Sequence, residues 1–157
     1  MDTGKLLLRA EDIANMDGQH KIHFLNPNAD RIAKSLGDAV GLKNIGVHLV
    51  AVEPGKETTE YHKHYYEDEC VYILSGSATL IMDGERQPIG KGDFVGFPRD
   101  TVAHNIINDG TETLVYLLMG QRLEQDVADY PDKAKRLYRN SGRWDLVDIE
   151  AIETIRK

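Results

Sequence analysis

Apolar residues along this chain fall mainly in short runs of roughly four to eight positions, the length of strands rather than of ordinary helices. Between Asn44 and Gly120 the runs are "IGVHLVAV", "CVYIL", "SATLIM", "FVGF", "AHNII" and "TLVYLLM". Turn-forming stretches separate them: "EPGK", "SGS", "MDGE", "IGKGD", "FPRD" and "NDGTE". Asp83-Gly84 predicts a tight hairpin, because Gly accepts positive φ. Many short strands with regular turns predict an all-β fold, a sandwich or a barrel. The run "CVYIL" is apolar on both strand faces. One face should line the barrel; the other needs cover from the N-terminal arm, the tail or a second subunit, so a homodimer is expected.

The flanks read differently. "NPNADRIAKSLGDAVGL" begins with Asn/Asp caps and predicts one short helix ending near Gly37. Its fragment "IAKSLG" resembles part of a helix-turn-helix, but no second amphipathic helix flanks it, so it reads as a lone helix or an extended arm. In "YPDKAKRLYR", Pro131 is placed to open a helix with basic residues toward its end. In "DLVDIEAIETIRK", Ile149, Ile152 and Ile155 fall at helical spacing behind Asp148 as a cap. The expected organisation is one domain over 1–157: an arm at 1–43, a β-barrel core at 44–120 and an extension at 121–157.

Composition narrows the partners. The chain has 157 residues, enough for one domain with a real core, and is 41% hydrophobic and 29% charged. A net charge of -7 argues against a nucleic-acid partner, whose affinity comes mostly from neutralised phosphates. The apolar runs are too short for a membrane span. The opening "MDTGKLLLRAEDIANMD" does not read as a signal peptide. Cys70 is the only cysteine, so no internal disulfide forms; it reads as a buried packing residue. Together these point to the cytoplasm.

The chemistry concentrates in "YHKHYYEDECVYILSG". Residues two apart on a strand share a face, so His62 and His64 project together and Lys63 points away. A turn through Tyr65, Tyr66, Glu67 and Asp68 would return Glu69 beside them, with Glu67 and Asp68 as solvated turn residues. His104 opens a later run. Imidazole is a common ligand for Zn, Fe, Cu and Ni. On spacing alone, a surface histidine pair and a metal site both stand.

The motifs resemble those of the cupin superfamily. Its first motif is a Gly, His-x-His, a short gap, Glu, six residues and Gly, matched here by Gly55, His62, His64, Glu69 and Gly76. Its second is matched by Gly92, Pro98, His104 and Asn108. Asp100 stands where the family has Gly, and one extra residue separates Pro98 from His104. Asp can adopt the left-handed backbone that the Gly supplies. The likeness spans about Gly46 to Gly120. It implies a jelly-roll β-sandwich with His62, His64, Glu69 and His104 holding a divalent metal ion, one of Fe, Mn, Ni or Zn. The flanking segments resemble small single-domain bacterial cupins, often labelled sugar-phosphate-isomerase-like.

Around these candidates, His48, His20 and His23 read as non-ligands, the last two at the surface. Tyr61, Tyr65, Tyr66 and Tyr72 read as core or rim, Lys133, Lys135, Arg136 and Arg139 as a solvated helix face, and Trp144 as an anchor for the tail. The leading expectation is a metal-dependent enzyme on a small polar metabolite, isomerase- or epimerase-like, with no residue beyond the ligands announcing itself as acid or base. The alternatives are an Fe(II)-dependent dioxygenase, a small-molecule sensing module, and a structural metal without catalysis.

Overall fold

The computed structural model describes residues 6–157. Residues 1–5, which open the segment read as no signal peptide, lie outside the described residues. After a short helix α1 (Ala10–Asn15), the strands run β1 (Gln19–His23) and β2 (Asn26–Ser35), then helix α2 (Leu36–Ala39), then β3 (Ile45–Val52), β4 (Lys63–His64), β5 (Glu69–Ser75), β6 (Ser77–Met82) and β7 (Glu85–Gly90). They continue as β8 (Phe94–Phe97), β9 (His104–Ile107), β10 (Leu114–Gln121), β11 (Gln125–Tyr130), β12 (Lys135–Asn140) and β13 (Arg143–Asp148). Six strands form one sheet in the order β1-β2-β3-β10-β5-β8. A second sheet is β7-β6-β9 and a third is β13-β12-β11-β4. All strand pairs are antiparallel. The fold is therefore all-β, as the alternation of short runs predicted. Among the described residues, no helix is long and apolar enough to cross a membrane.

The core sits between the six-stranded and the three-stranded sheet. Val50, Val71, Ile73, Leu114 and Tyr116 of the large sheet meet Leu80 and Ile106 of the three-stranded one. A smaller cluster, Ala128, Tyr130 and Leu137, packs with Leu25 under the third sheet. Two turns match the sequence reading in detail. Asp83 and Gly84 both have positive φ, 53° and 77°, as the hairpin requires. Asp100 adopts φ 52°, taking the left-handed role of the expected Gly.

The flanks depart from expectation. The segment read as an N-terminal helix is mostly strand β2, and only Leu36–Ala39 is helical. Buried Ala29 and Ala33 alternate there with outward residues, and pairing with both β1 and β3 satisfies the backbone. That tertiary pairing outweighs a modest helix propensity. The helix expected from Pro131 is a single turn, Pro131–Lys133, closed by Ala134 at φ 50°; β12 follows. The last predicted helix is β13 plus one turn, Ile149–Ala151, and Ile155 is solvent-exposed. Cys70 is only half-buried, on the outer face of β5.

Candidate metal centre

His62 and His104 are joined by a reciprocal backbone pair. The His62 N–H donates to the His104 carbonyl at 3.1 Å and the His104 N–H to the His62 carbonyl at 2.8 Å. His64, in β4, pairs with Ala128 of β11. Glu69 opens β5 between Gly120 of β10 and Phe97 of β8. These placements bring the side chains together. The Nε2 atoms of His62 and His64 are 3.1 Å apart, and His104 Nε2 lies 3.4 Å from Glu69 Oε2. One ligand atom each from His62, Glu69 and His104 all fall within 4.8 Å of one another. The His104 ring lies flat on Phe97, with centroids 3.5 Å apart.

The outer ring nitrogens are all occupied. His62 Nδ1 donates to the Glu60 carbonyl at 2.8 Å, His64 Nδ1 to Asp126 Oδ2 at 2.5 Å and His104 Nδ1, at a longer 3.4 Å, to the Val102 carbonyl. An acceptor at Nδ1 places the proton there and leaves Nε2 as the inward lone pair. Asp126 is itself buried and accepts from the Tyr66 N–H at 3.1 Å. Its neighbour Glu67 accepts from the Leu123 N–H at 2.7 Å and pairs with Arg139. His64, Glu67 and Asp126 thus form a second group of potential ligands beside the first.

Burial, then the neighbouring imidazole charges, push His62 down to about 3. Burial also pulls on His64, but its bond to Asp126 and the Glu69 carboxylate outweigh it and hold His64 above its ordinary value. The opposite shifts suit the short Nε2–Nε2 contact, which has room for one proton. The bond to Asp126 favours the protonated form of His64, and burial favours the neutral form of His62. Burial pushes Glu69 up, but the His104 bond and the surrounding imidazoles prevail and hold it ionised, at about 2.

The four expected ligands open into a cavity of about 630 Å³ whose apolar walls include Val71, Phe97 and Ile106. Several surrounding residues differ from the sequence reading. Glu67 is buried and ion-paired rather than solvated, whereas Asp68 is exposed and accepts from the Arg99 N–H. His23 is not a free surface residue. It stacks on Phe24, lines the cavity, and is pushed down to about 4 by burial and then by the Arg31 charge. Arg136 and Arg139 pair with Asp129 and Glu67 from a strand, not from a solvated helix. Trp144 is exposed at the cavity rim, where it meets Phe24, whose ring also contacts Tyr130. His48 turns inward on β3 but lies outside the cavity wall, with a buried Nδ1 that has no hydrogen-bond partner among the described residues.

The cavity tyrosines are Tyr116 and Tyr130, not the four in or beside the histidine motif. Sequence reasoning also missed Asp126, which lies 62 positions from the histidine it orients. Its only signal is the alternation in "QDVADY", which puts Asp126, Ala128 and Tyr130 on one inward face.

Residues 48–120 match the cupin domain family Cupin_2. A crystal structure from Acidithiobacillus ferrooxidans, provisionally named a sugar phosphate isomerase, is 62% identical over 99% of this chain and 100% of its own, with a TM-score of 0.97. A sugar phosphate isomerase from a cupin superfamily, of Silicibacter pomeroyi, is 27% identical over 95% of this chain and 96% of its own, with a TM-score of 0.81.

The chain belongs to the cupin superfamily.

This cupin is also 37% identical over 67 residues to an uncharacterized protein of Methanocaldococcus jannaschii, spanning 43% of this chain and about half, 53%, of that relative. The motif glycines of the cupin have physical work at their positions: Gly55, Gly76 and Gly92 all have positive φ. At Gly76 an added Cβ would also lie 2.8 Å from the Thr113 carbonyl oxygen. The motif Asn108 is fully buried and ties three backbone groups together.

Proposed function

We propose that this cupin is a single-domain, divalent-metal-dependent enzyme acting on a small polar metabolite, of the sugar-phosphate isomerase type. The observation that carries the reading is the orientation of the three imidazoles. Every Nδ1 faces an acceptor and the Nε2 atoms turn toward one another and toward Glu69. Perpendicular ligands about 2.1 Å from an ion lie about 3.0 Å apart, close to the His62–His64 separation of 3.1 Å. His62, His64, Glu69 and His104 would hold the ion, and a donor set of three nitrogens and one oxygen suits Fe, Mn, Ni or Zn. When bound, such an ion polarises substrate oxygens as a Lewis acid. The names of the two full-length relatives support the substrate class.

The chain's own groups do the rest. The apolar walls keep water away from the bound metabolite. Tyr130, its ring 6.0 Å from that of His62, is pushed up to about 12 by burial. It stays protonated and donates its hydroxyl to a substrate oxygen. Metal analysis of the protein from its own host, then aldose–ketose assays on a sugar-phosphate panel, test the reading. Conversion that chelation stops is the expected result. A metal-loaded protein that converts no sugar phosphate sinks the isomerase assignment.

A pH dependence follows. Metal must displace the Nε2 proton of His64, whose folded pKa is raised, so binding weakens as pH falls through that value. His64 contributes about tenfold in affinity per pH unit below its pKa. His62, neutral down to about 3, contributes no slope above that. Calorimetry in buffers of different ionisation heat should show proton release from His64 that grows as the pH is lowered. The release at a given pH should shrink in Asp126→Asn, which removes a contact that raises the His64 pKa.

The protein also associates as a homodimer in this reading. Ile32, Tyr72 and Phe94 are exposed on the outer face of the six-stranded sheet, where Leu49 and Leu117 also point. A second copy supplies the cover such a face needs. Sedimentation should give twice the chain mass at micromolar concentration; a stable monomer rejects it.

A further inference from the structure

Arg31 is an unusual residue for its place. It lies on the inward face of β2 between the buried small residues Ala29 and Ala33, where an apolar side chain would extend the core. Instead a guanidinium enters the wall of the cavity. One Nη donates to the Thr58 carbonyl, which fixes the group. Among the described residues no carboxylate pairs with it. Its chain neighbour Asp30 is turned the other way, to His20 and Lys56. The carboxylates on the cavity wall are otherwise engaged: Glu67 pairs with Arg139, Glu69 meets His104, and Asp68 accepts from the Arg99 N–H. A half-buried cation without a counter-charge is costly, and the cost is relieved by an anion.

A second observation points the same way. Tyr116, 2% exposed, stands on the same cavity wall. Its hydroxyl has no hydrogen-bond partner among the described residues and is not sealed off, so it opens into the cavity that Tyr116 lines. Burial pushes Tyr116 above its ordinary value, which keeps the hydroxyl a donor. His23, also beside Arg31, stays neutral and does not compete as a cation.

We propose that Arg31 and the Tyr116 hydroxyl form an oxyanion subsite in this cavity, which takes the phosphate or carboxylate end of the metabolite. The planar guanidinium offers paired N–H donors to two oxygens of either group, and Tyr116 offers a third donor. The subsite stands on these residues alone. That the other end of the same molecule meets the histidine cluster rests on the function proposed above.

The test titrates the full-length protein, metal-loaded and chelated, with inorganic phosphate and separately with acetate. Metal content is measured on each sample. Arg31→Gln should weaken binding of the preferred anion roughly tenfold or more, the loss of a charge-assisted paired contact, and leave metal content unchanged. Tyr116→Phe should weaken it by a smaller factor, about threefold. Preference for phosphate assigns a phosphate monoester, and preference for acetate a carboxylate. Should Arg31→Gln fail to fold, the wild-type protein still answers. Phenylglyoxal modification of Arg31, mapped by mass spectrometry, should slow several-fold in the preferred anion. Binding unchanged by Arg31→Gln, no binding of either anion, or modification that neither anion slows overturns the proposal. Arg31-dependent anion binding by a protein that takes up no metal keeps the subsite and rejects the metal-dependent function.

Discussion

His104→Ala and His62→Ala are each expected to abolish uptake of the divalent metal proposed for this centre. Each removes an inward Nε2 from a cluster held by a two-way backbone pair, so no neighbouring side chain can move in to replace it. Removing only an outer partner of a ligand typically costs roughly 10–100-fold in affinity, and removing a ligand should exceed that. Metal content after loading and dialysis, read by mass spectrometry, should fall from near one ion per chain to near zero. The backbone pair itself survives the change, so the circular dichroism of the folded protein should persist. The adjoining group of His64, Glu67 and Asp126 gives the contrary outcome its meaning. If Glu67→Gln abolishes uptake while His104→Ala leaves it intact, the ion sits in that group and the proposed centre is wrong. The ion pair of Glu67 with Arg139 argues for the first outcome, because that carboxylate is already neutralised.

Asn108→Ala is expected to lower stability by about 3 kcal/mol, the order for three lost hydrogen bonds with their partners left buried. The Asn108 side chain donates to the Val52 carbonyl at 2.8 Å and to the Glu112 carbonyl at 2.9 Å, and accepts from the Gly110 N–H at 3.1 Å. It thereby ties the end of β3 to the turn that leads into β10. Its side chain is fully buried, so water cannot easily replace these bonds. Urea denaturation should show a lower midpoint with little change in slope. A loss below about 1 kcal/mol would mean that the turn relaxes and reaches other partners. Metal uptake by the folded fraction should be unchanged, which separates this motif residue from the histidines.

The barrel strands were legible in the sequence because their alternation and their turn residues agree. Val71 and Ile73 face in, and Tyr72 between them faces out. Asp83-Gly84 turns where its chemistry says it should. The approach of His62, Glu69 and His104, with His64 against His62, was legible too, since strand periodicity and two spaced motifs point to their faces. What escaped were the pieces that depend on distant pairing. The segment around Arg31 carries residues acceptable in a helix and becomes a strand because β1 and β3 flank it. Pro131 opens only a single helical turn instead of the expected helix, because β11 lies open to receive the following residues as β12. Asp126, Tyr130 and Arg139 join the site through that third sheet, whose contact with the histidine segment is the short pairing of β4 with β11. No local pattern announces such a pairing.

The rim contact of Phe24 with Trp144 and Tyr130 has a consequence for synthesis. The proposed ligands are all present once His104 has left the ribosome, but the far side of the entrance is made by residues near the end of the chain. Domains fold as their residues emerge, and contacts between distant segments form late. The side chains of the proposed centre are thus synthesised before one side of the entrance exists, although β10 and β11 are still needed to set Glu69 and His64 in place. That side closes only when Trp144 arrives opposite Phe24, so a chain released before it would leave the cavity open there.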